Sequence, residues 1–229
     1  MTGGRQSLRT FFALWPDAAV RAELAQRATW AAKACGGRAT PSPLLHLTLV
    51  FIGATPRERM PALVALMDAI ELPPFVLALD HGGWWRHNGV VWAGARAVPE
   101  PLLDLQHALA RGAERLGFSL DVRPYAPHLT LARDAGRSPP STASPSCGWQ
   151  VRSFVLVSSK PAPAGPRYDI LHERALVAAD PIFAAPAADE SATTASATTA
   201  SASASNIAAG HAAAGAEIQF RASAQKEFP

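Results

Sequence analysis

The stretch His46-Leu47-Thr48-Leu49 returns, letter for letter, as His128-Leu129-Thr130-Leu131. With this composition a second copy of such a tetrapeptide arises by chance with a probability on the order of 10⁻³ to 10⁻², so the repetition asks for a reason. Both copies lie in segments that read as strands: residues 45–52, bounded by Pro43 and Gly53, and residues 128–133. A strand alternates faces, so His and Thr at i and i+2 project to one side and the leucines to the other, into a core. Each copy thus offers an imidazole and a hydroxyl together on a rigid element. Two such strands, one from each half of a domain, can set two imidazoles across a shared cleft.

Outward from these strands, residues 9–14 form a short apolar run suited to a buried strand. Asp17 caps a helix reaching to about residue 34, with Gly36-Gly37 as its stop. Thr55-Pro56 opens a second helix over 57–70, which Pro73-Pro74 ends. Residues 75–80 and 90–95 read as strands joined by the longer turn HGGWWRHNG, whose Asn88-Gly89 favours a tight reversal. A third helix spans 101–116 and closes at Gly117; strands follow at 151–158 and 168–171, the latter continuing towards Val177. The order β-α-β-α-β-β-α-β-β-β, with reversals that demand antiparallel pairing, predicts an α+β fold over a doubly wound parallel sheet. No GxGxxG or GxxxxGK[ST] is present, which weakens any nucleotide-fold reading.

The chain has 229 residues, enough for one good-sized domain with a real core. Residues 8–183 have a globular mixture of charged, apolar and turn residues and are expected to form one domain. Residues 191–205 contain only Ser, Ala and Thr, so residues 184–229 are expected to be a disordered or only locally helical tail. The segment RSPPSTASPS, 137–146, predicts an exposed loop. A net charge of +3 suits a polyanionic ligand, but no Lys/Arg run marks a patch. Cys35 and Cys147 are too few for a disulfide framework, and no CxxC or Cys/His cluster offers a zinc site. The apolar stretch 11–15 is too short for a signal-peptide core, and no segment approaches the roughly 20 apolar residues that span a bilayer. A soluble, cytoplasmic protein with no membrane partner is expected.

Two imidazoles and two hydroxyls suit phosphodiester chemistry. Hydrolysis needs a base to deprotonate water and an acid to protonate the leaving oxygen, and imidazole, with an unperturbed pKa of roughly 6.5, does either near neutrality. Thr48 and Thr130 can donate to non-bridging oxygens as charge gathers there. Arg133 lies five residues beyond His128; its odd offset puts it nominally on the opposite face, so it needs a bulge or the strand's end to turn towards the same phosphate. A zinc reading would require further ligands, and neither motif has a neighbouring Cys, Asp or Glu that fits.

The paired HLTL motifs resemble those of the two-histidine (2H, HxTx) phosphoesterases, and within them the bacterial RNA 2',3'-cyclic phosphodiesterases once called 2'-5' RNA ligases. The resemblance covers residues 8–178: the opening LRTFFALWP, LLHLTLVFIG, GVVWAGA, YAPHLTLARD and the closing FVLVSSKPAPAGPRYDILHERAL. It implies a two-lobed, pseudo-symmetric α+β fold, with antiparallel sheets flanking a central cleft, helices outside and one motif on each central strand. It also implies hydrolysis of an RNA terminal 2',3'-cyclic phosphate to a 2'-phosphomonoester, with no metal or other cofactor. Carried onto this chain, His46 is the proton donor and His128 the proton acceptor, with Thr48 and Thr130 binding phosphate oxygens and Arg133 assisting. The implied partners are RNA 3' ends or nucleotides bearing a 2',3'-cyclic phosphate, and a monomer is expected. The Ala/Ser/Thr tail departs from the family pattern without touching the motifs.

Other readings stay open at this level. The same cleft suits small cyclic nucleotides, ADP-ribose 1'',2''-cyclic phosphate or a 2'-5' linkage, including the reverse ligation, and a non-catalytic RNA-end binding module would keep it without turnover. Phe11 and Phe12 point to opposite faces of the first strand, so one of them can reach the cleft, against a default of core packing for each. Trp84 and Trp85 border an entrance or form a satellite cluster; Tyr125 supports the site or only the fold. Asp80 and Asp134 are candidates to orient a histidine, whereas His81, His87, His107, His172 and His211 have no motif context.

Overall fold

The structure, a computed structural model, describes residues 7–121, 123–140, 147–163 and 165–177. The expected tail at 184–229, with His211, and residues 141–146 of the Pro-rich segment lie outside the described residues.

β1 (Ser7–Leu14) is the apolar run expected at 9–14, and every residue from Thr10 to Leu14 is buried, so both of its faces are covered. α1 (Ala18–Cys35) begins where Asp17 accepts hydrogen bonds from the Ala19 and Val20 backbone N–H groups. It ends at Gly36, whose left-handed backbone (φ 70°) only glycine adopts freely. β2 (Arg38–Ala39) is a short strand that sequence pattern did not indicate. β3 (Leu47–Pro56) carries the first motif and runs on through Thr55-Pro56, where a helix start was expected. Pairing with β1 outweighs the local helix signal: Leu8 faces Thr55, and the buried Thr10 and Thr55 hydroxyls share a hydrogen bond of 2.7 Å. Residues 57–59 then make a single 3₁₀ turn, and α2 (Met60–Asp68) is correspondingly shorter than the expected helix.

β4 (Phe75–Leu79) and β6 (Val90–Gly94) match the expected strands, but the first five residues of HGGWWRHNG form a strand of their own, β5 (His81–Trp85), that pairs with β6. The reversal is therefore confined to residues 86–89. α3 (Glu100–Arg115) closes at Gly117 (φ 79°) as expected. β7 (Leu129–Arg133) carries the second motif. The strand expected at 151–158 is β9 (Ser153–Lys160), and a further strand that sequence pattern did not indicate, β8 (Cys147–Val151), precedes it, the chain changing sheets at Arg152. β10 (Arg167–Ala175) ends the described fold.

All pairings among the described residues are antiparallel. The large sheet has the order β10-β9-β1-β3-β7-β6-β5, with β2 also on β7, while β4 and β8 form a separate ribbon. The centre of the large sheet is slender: β3 and β7 share one residue pair, Leu47 with Leu129. Two blocks of strands, one on each side of that pair, are the two lobes of an α+β fold. One face of both blocks packs on the helices, where Leu47, Leu49, Leu129 and Leu131 join Leu24 and Ala28 of α1 and Leu105 and Leu109 of α3. The other face of β1 and β9 carries a smaller cluster of Phe11, Ala13, Val155 and Val157, bordered by Trp15, Phe51 and Tyr168. No helix among the described residues is long and apolar enough to cross a membrane.

α1 is fastened to the β4–β8 ribbon by a polar chain. The Cys147 thiol donates to Glu23 Oε2 at 3.3 Å, Arg27 donates to Glu23 Oε1 at 2.7 Å, and the same guanidinium reaches the Leu79 carbonyl. Burial, then the bond to Glu23, pushes the Cys147 thiol from 9.0 up to about 11. A thiol that holds its proton more tightly when folded makes the native state bind more protons than the unfolded chain above pH 9, so stability falls as pH rises through that window. Urea unfolding between pH 9 and about 11 is expected to show this decline, and Cys147→Ala to flatten it.

Candidate functional site

The two motifs fold alike because the same pattern meets the same surroundings. In each, the histidine and threonine are half-buried and the two leucines fully buried. With the leucines held in the core, His46, Thr48, His128 and Thr130 all project from the opposite face of the sheet. The Leu47–Leu129 pair sets the strands head to tail, so the two histidines stand diagonally across it. A regular antiparallel ladder places such diagonal neighbours roughly 7–8 Å apart, a separation that a phosphoryl group with its attacking and leaving oxygens can bridge.

Each imidazole is oriented through its inner nitrogen. His46 Nδ1 lies 2.7 Å from the Leu44 carbonyl and His128 Nδ1 lies 2.8 Å from the Ala126 carbonyl. A carbonyl only accepts, so both Nδ1 atoms carry hydrogen and the exchangeable site on each ring is Nε2. His46 Nε2 is 3.2 Å from the Thr48 hydroxyl. The aspartates considered as orienters are engaged elsewhere. Asp80 accepts from the Arg96 backbone N–H at 2.8 Å, and Asp134 accepts from Arg38 at 2.6 Å. Backbone carbonyls two residues upstream do that work, a role every residue can supply and no side-chain pattern announces.

Aromatic rings box each imidazole from its own lobe. Trp15 stacks on His46 at 5.5 Å between centroids, Phe11 lies at 5.1 Å, and Tyr168 stands edge-on at 5.2 Å. On the other lobe Trp85 meets His128 edge-on at 4.6 Å and leans on Trp92. Phe11 is thus the phenylalanine that faces the histidine, while Phe12 is wholly buried in the main core. Trp85 borders the site, whereas Trp84 packs on the main core and donates to the Ala135 carbonyl at 3.3 Å. Trp15 and Tyr168 were not singled out from sequence; Tyr168 reaches His46 from far along the chain by pairing of β10 with β9.

Arg133 required a bulge to reach this face, and β7 has one. Ala132 pairs with Val91 but Thr130 with the next residue, Trp92, leaving Leu131 as an extra residue. Leu131 and Ala132 are consecutive and both buried, and Arg133 emerges exposed on the side of His128 and Thr130. Gly37 leaves room for this segment, since a Cβ there would sit 2.5 Å from the Arg133 carbonyl. The lobes are also tied across the site: the Tyr125 hydroxyl, from the segment leading into His128, donates to the Thr48 carbonyl at 3.2 Å. Burial pushes the Tyr125 phenol far up, which keeps it a donor. No group of three or more His, Cys, Asp or Glu side chains is gathered to hold a metal ion among the described residues.

Two imidazole–hydroxyl pairs on one sheet face, with an arginine brought round by a bulge, define a protein of the two-histidine phosphoesterase class. The family model described as 2'-5' RNA ligase superfamily matches residues 15–160, and the chain belongs to that superfamily. It is 36% identical over 173 residues to the RNA 2',3'-cyclic phosphodiesterase of Escherichia coli, covering 73% of this chain and 96% of that protein. It is 35% identical over 182 residues to the enzyme of the same name from Thermus thermophilus, covering 74% of this chain and 90% of that one. The crystal structure of E. coli LigT complexed with 3'-AMP superposes with a TM-score of 0.67 at 34% identity, over 75% of this chain and 99% of that one.

Tyr125→Phe removes the hydrogen bond that joins the two motif segments while keeping the ring. Its unfolding free energy in urea is expected to fall by about 1 kcal/mol.

Proposed function

We propose that the protein hydrolyses RNA 2',3'-cyclic phosphate ends to 2'-phosphomonoesters by general acid–base catalysis with two histidines. The observation that supports this most is the shared face of His46, Thr48, His128 and Thr130, set by one antiparallel pair. In this reading the cyclic phosphate lies between the imidazoles. Thr48 and Thr130 donate to its non-bridging oxygens, and Arg133 offers a forked pair of donors to the same charge. His128 Nε2 accepts a proton from water as the water oxygen attacks phosphorus. The P–O3' bond breaks, and His46 Nε2 delivers its proton to the departing 3' oxygen. The phosphate stays on the 2' oxygen. Which imidazole is acid and which is base follows the family resemblance. Threonine donors, two exchangeable Nε2 sites and an arginine supply proton transfer and charge stabilisation without a metal ion.

All five groups come from one chain, which supports action as a monomer. None comes from beyond residue 183, so residues 8–183 are the working unit in this reading.

His46→Ala and His128→Ala are each expected to lower kcat by 10² to 10⁴ or more, with unchanged circular dichroism. The substrate is an oligoribonucleotide ending in a 2',3'-cyclic phosphate, assayed in EDTA. Loss of activity in EDTA, a 3'-phosphate product, or full activity of either variant overturns the reading.

One histidine must start protonated and the other unprotonated, so log kcat/KM against pH is expected to be bell-shaped, reporting two macroscopic values that belong to the pair. A profile that only rises with pH contradicts the acid role.

A further inference from the structure

The two motif strands continue beyond their threonines in the same way and then diverge. β3 pairs with β1 through Val50–Phe12 and then Thr48–Ala13, which leaves Leu49 as an extra residue. Leu49 and Val50 are both buried, just as Leu131 and Ala132 are in β7. The bulge therefore turns Phe51 to the face of His46 and Thr48, as its counterpart turns Arg133 to the face of His128. The position five residues past the histidine is arginine in one lobe and phenylalanine in the other. A cation is nevertheless present there, supplied by the neighbouring strand: the Arg9 guanidinium lies over the Phe51 ring, 5.4 Å from its centroid.

Arg9 and Phe51 line a cavity of about 590 Å³ together with Ser7, Ser159, Lys160 and Pro161. It continues the face of the candidate site. Phe11 touches His46 and is the cross-strand partner of Phe51, and Arg9 lies two residues along β1 from Phe11, roughly 7 Å further out. Arg9 pairs with Ser159 across β9, and Tyr168 pairs with Ser159 from the other side, so the wall is continuous. The Lys160 ammonium is 2.7 Å from Asp169, which Arg167 also approaches at 3.7 Å, so that carboxylate is matched by two cations. An aromatic ring beneath a guanidinium, flanked by hydroxyls, matches the recognition of single-stranded nucleic acid: the ring takes a base face and the cation a phosphate.

We propose that the Arg9–Phe51 cavity binds the nucleotide upstream of the terminal one, and so makes the protein prefer an RNA end over a free nucleoside cyclic phosphate. This rests on the hydrolase reading above. A terminal ribose whose cyclic phosphate lies between the imidazoles is joined through its 5' phosphate to the next nucleotide. The cavity lies on the same face, one strand residue pair beyond the ring that touches His46.

The test compares Arg9→Gln and Phe51→Leu with the unaltered protein on two substrates: a short oligoribonucleotide ending in a 2',3'-cyclic phosphate, and a nucleoside 2',3'-cyclic monophosphate. Each variant is expected to lose about tenfold in kcat/KM on the oligonucleotide and to stay within about twofold on the nucleoside. Binding of an oligonucleotide ending in a 2'-phosphate, followed by fluorescence anisotropy, is expected to weaken for both. For Arg9→Gln the salt dependence of log K should become shallower by about 0.7, as for one lost phosphate contact on a single strand. Equal losses on both substrates, or no loss on the oligonucleotide, overturn the proposal. If the unaltered protein turns over neither substrate the hydrolase reading fails, and anisotropy still decides whether Arg9 and Phe51 hold RNA.

Discussion

The arrangement depends on one backbone pair. Leu47 and Leu129 are the only residues through which β3 and β7 are hydrogen-bonded partners among the described residues, and both side chains are sunk in the main core. Period-two alternation does the rest. Once the leucines are committed to the interior, the histidine and threonine on either side of each have one direction left. The site face is therefore a by-product of core formation. A shift of either strand by one residue would bury the imidazoles and expose the leucines, which the hydrophobic effect forbids.

The surroundings then refine what that pair establishes. Carbonyls of Leu44 and Ala126 settle which nitrogen of each ring is available, and Trp15, just past β1, and Trp85 of β5 pack against the imidazoles. Tyr125 links the approach to His128 with the strand of His46, so the two lobes are registered by a side chain as well as by backbone. Bulges at matching places in β3 and β7 reset the alternation just past each motif, a device that lets a strand serve the core with consecutive residues and still return a side chain to the site.

Pseudo-symmetry makes the differences informative. The lobes share the tetrapeptide, the burial pattern, the carbonyl contact and the bulge, yet one presents Arg133 and the other Phe51 with Arg9 laid over it. A forked donor suits a phosphoryl group, and a ring under a cation suits a base and its neighbouring phosphate. Two lobes of one design thus present different chemistry on one face of the sheet.

The repeated HLTL, read with strand alternation alone, determined that each imidazole travels with a hydroxyl and away from a core, and Asp17, Gly36 and Gly117 marked helix ends that the structure keeps. These are local properties, carried by residues within a few positions of one another. Tertiary structure alone decided what depends on partners distant in the chain. The strand at His81–Trp85 exists because β6 pairs with it despite two glycines, and β3 overrides the helix signal at Thr55-Pro56 because β1 lies alongside. Arg133 faces the site because β6 imposes a bulge, Trp15 reaches His46 because β1 pairs with β3, and Tyr168 reaches it because β1, β9 and β10 are neighbours. Pattern reveals which way a side chain points along its own strand; only the packed sheet decides what it points at.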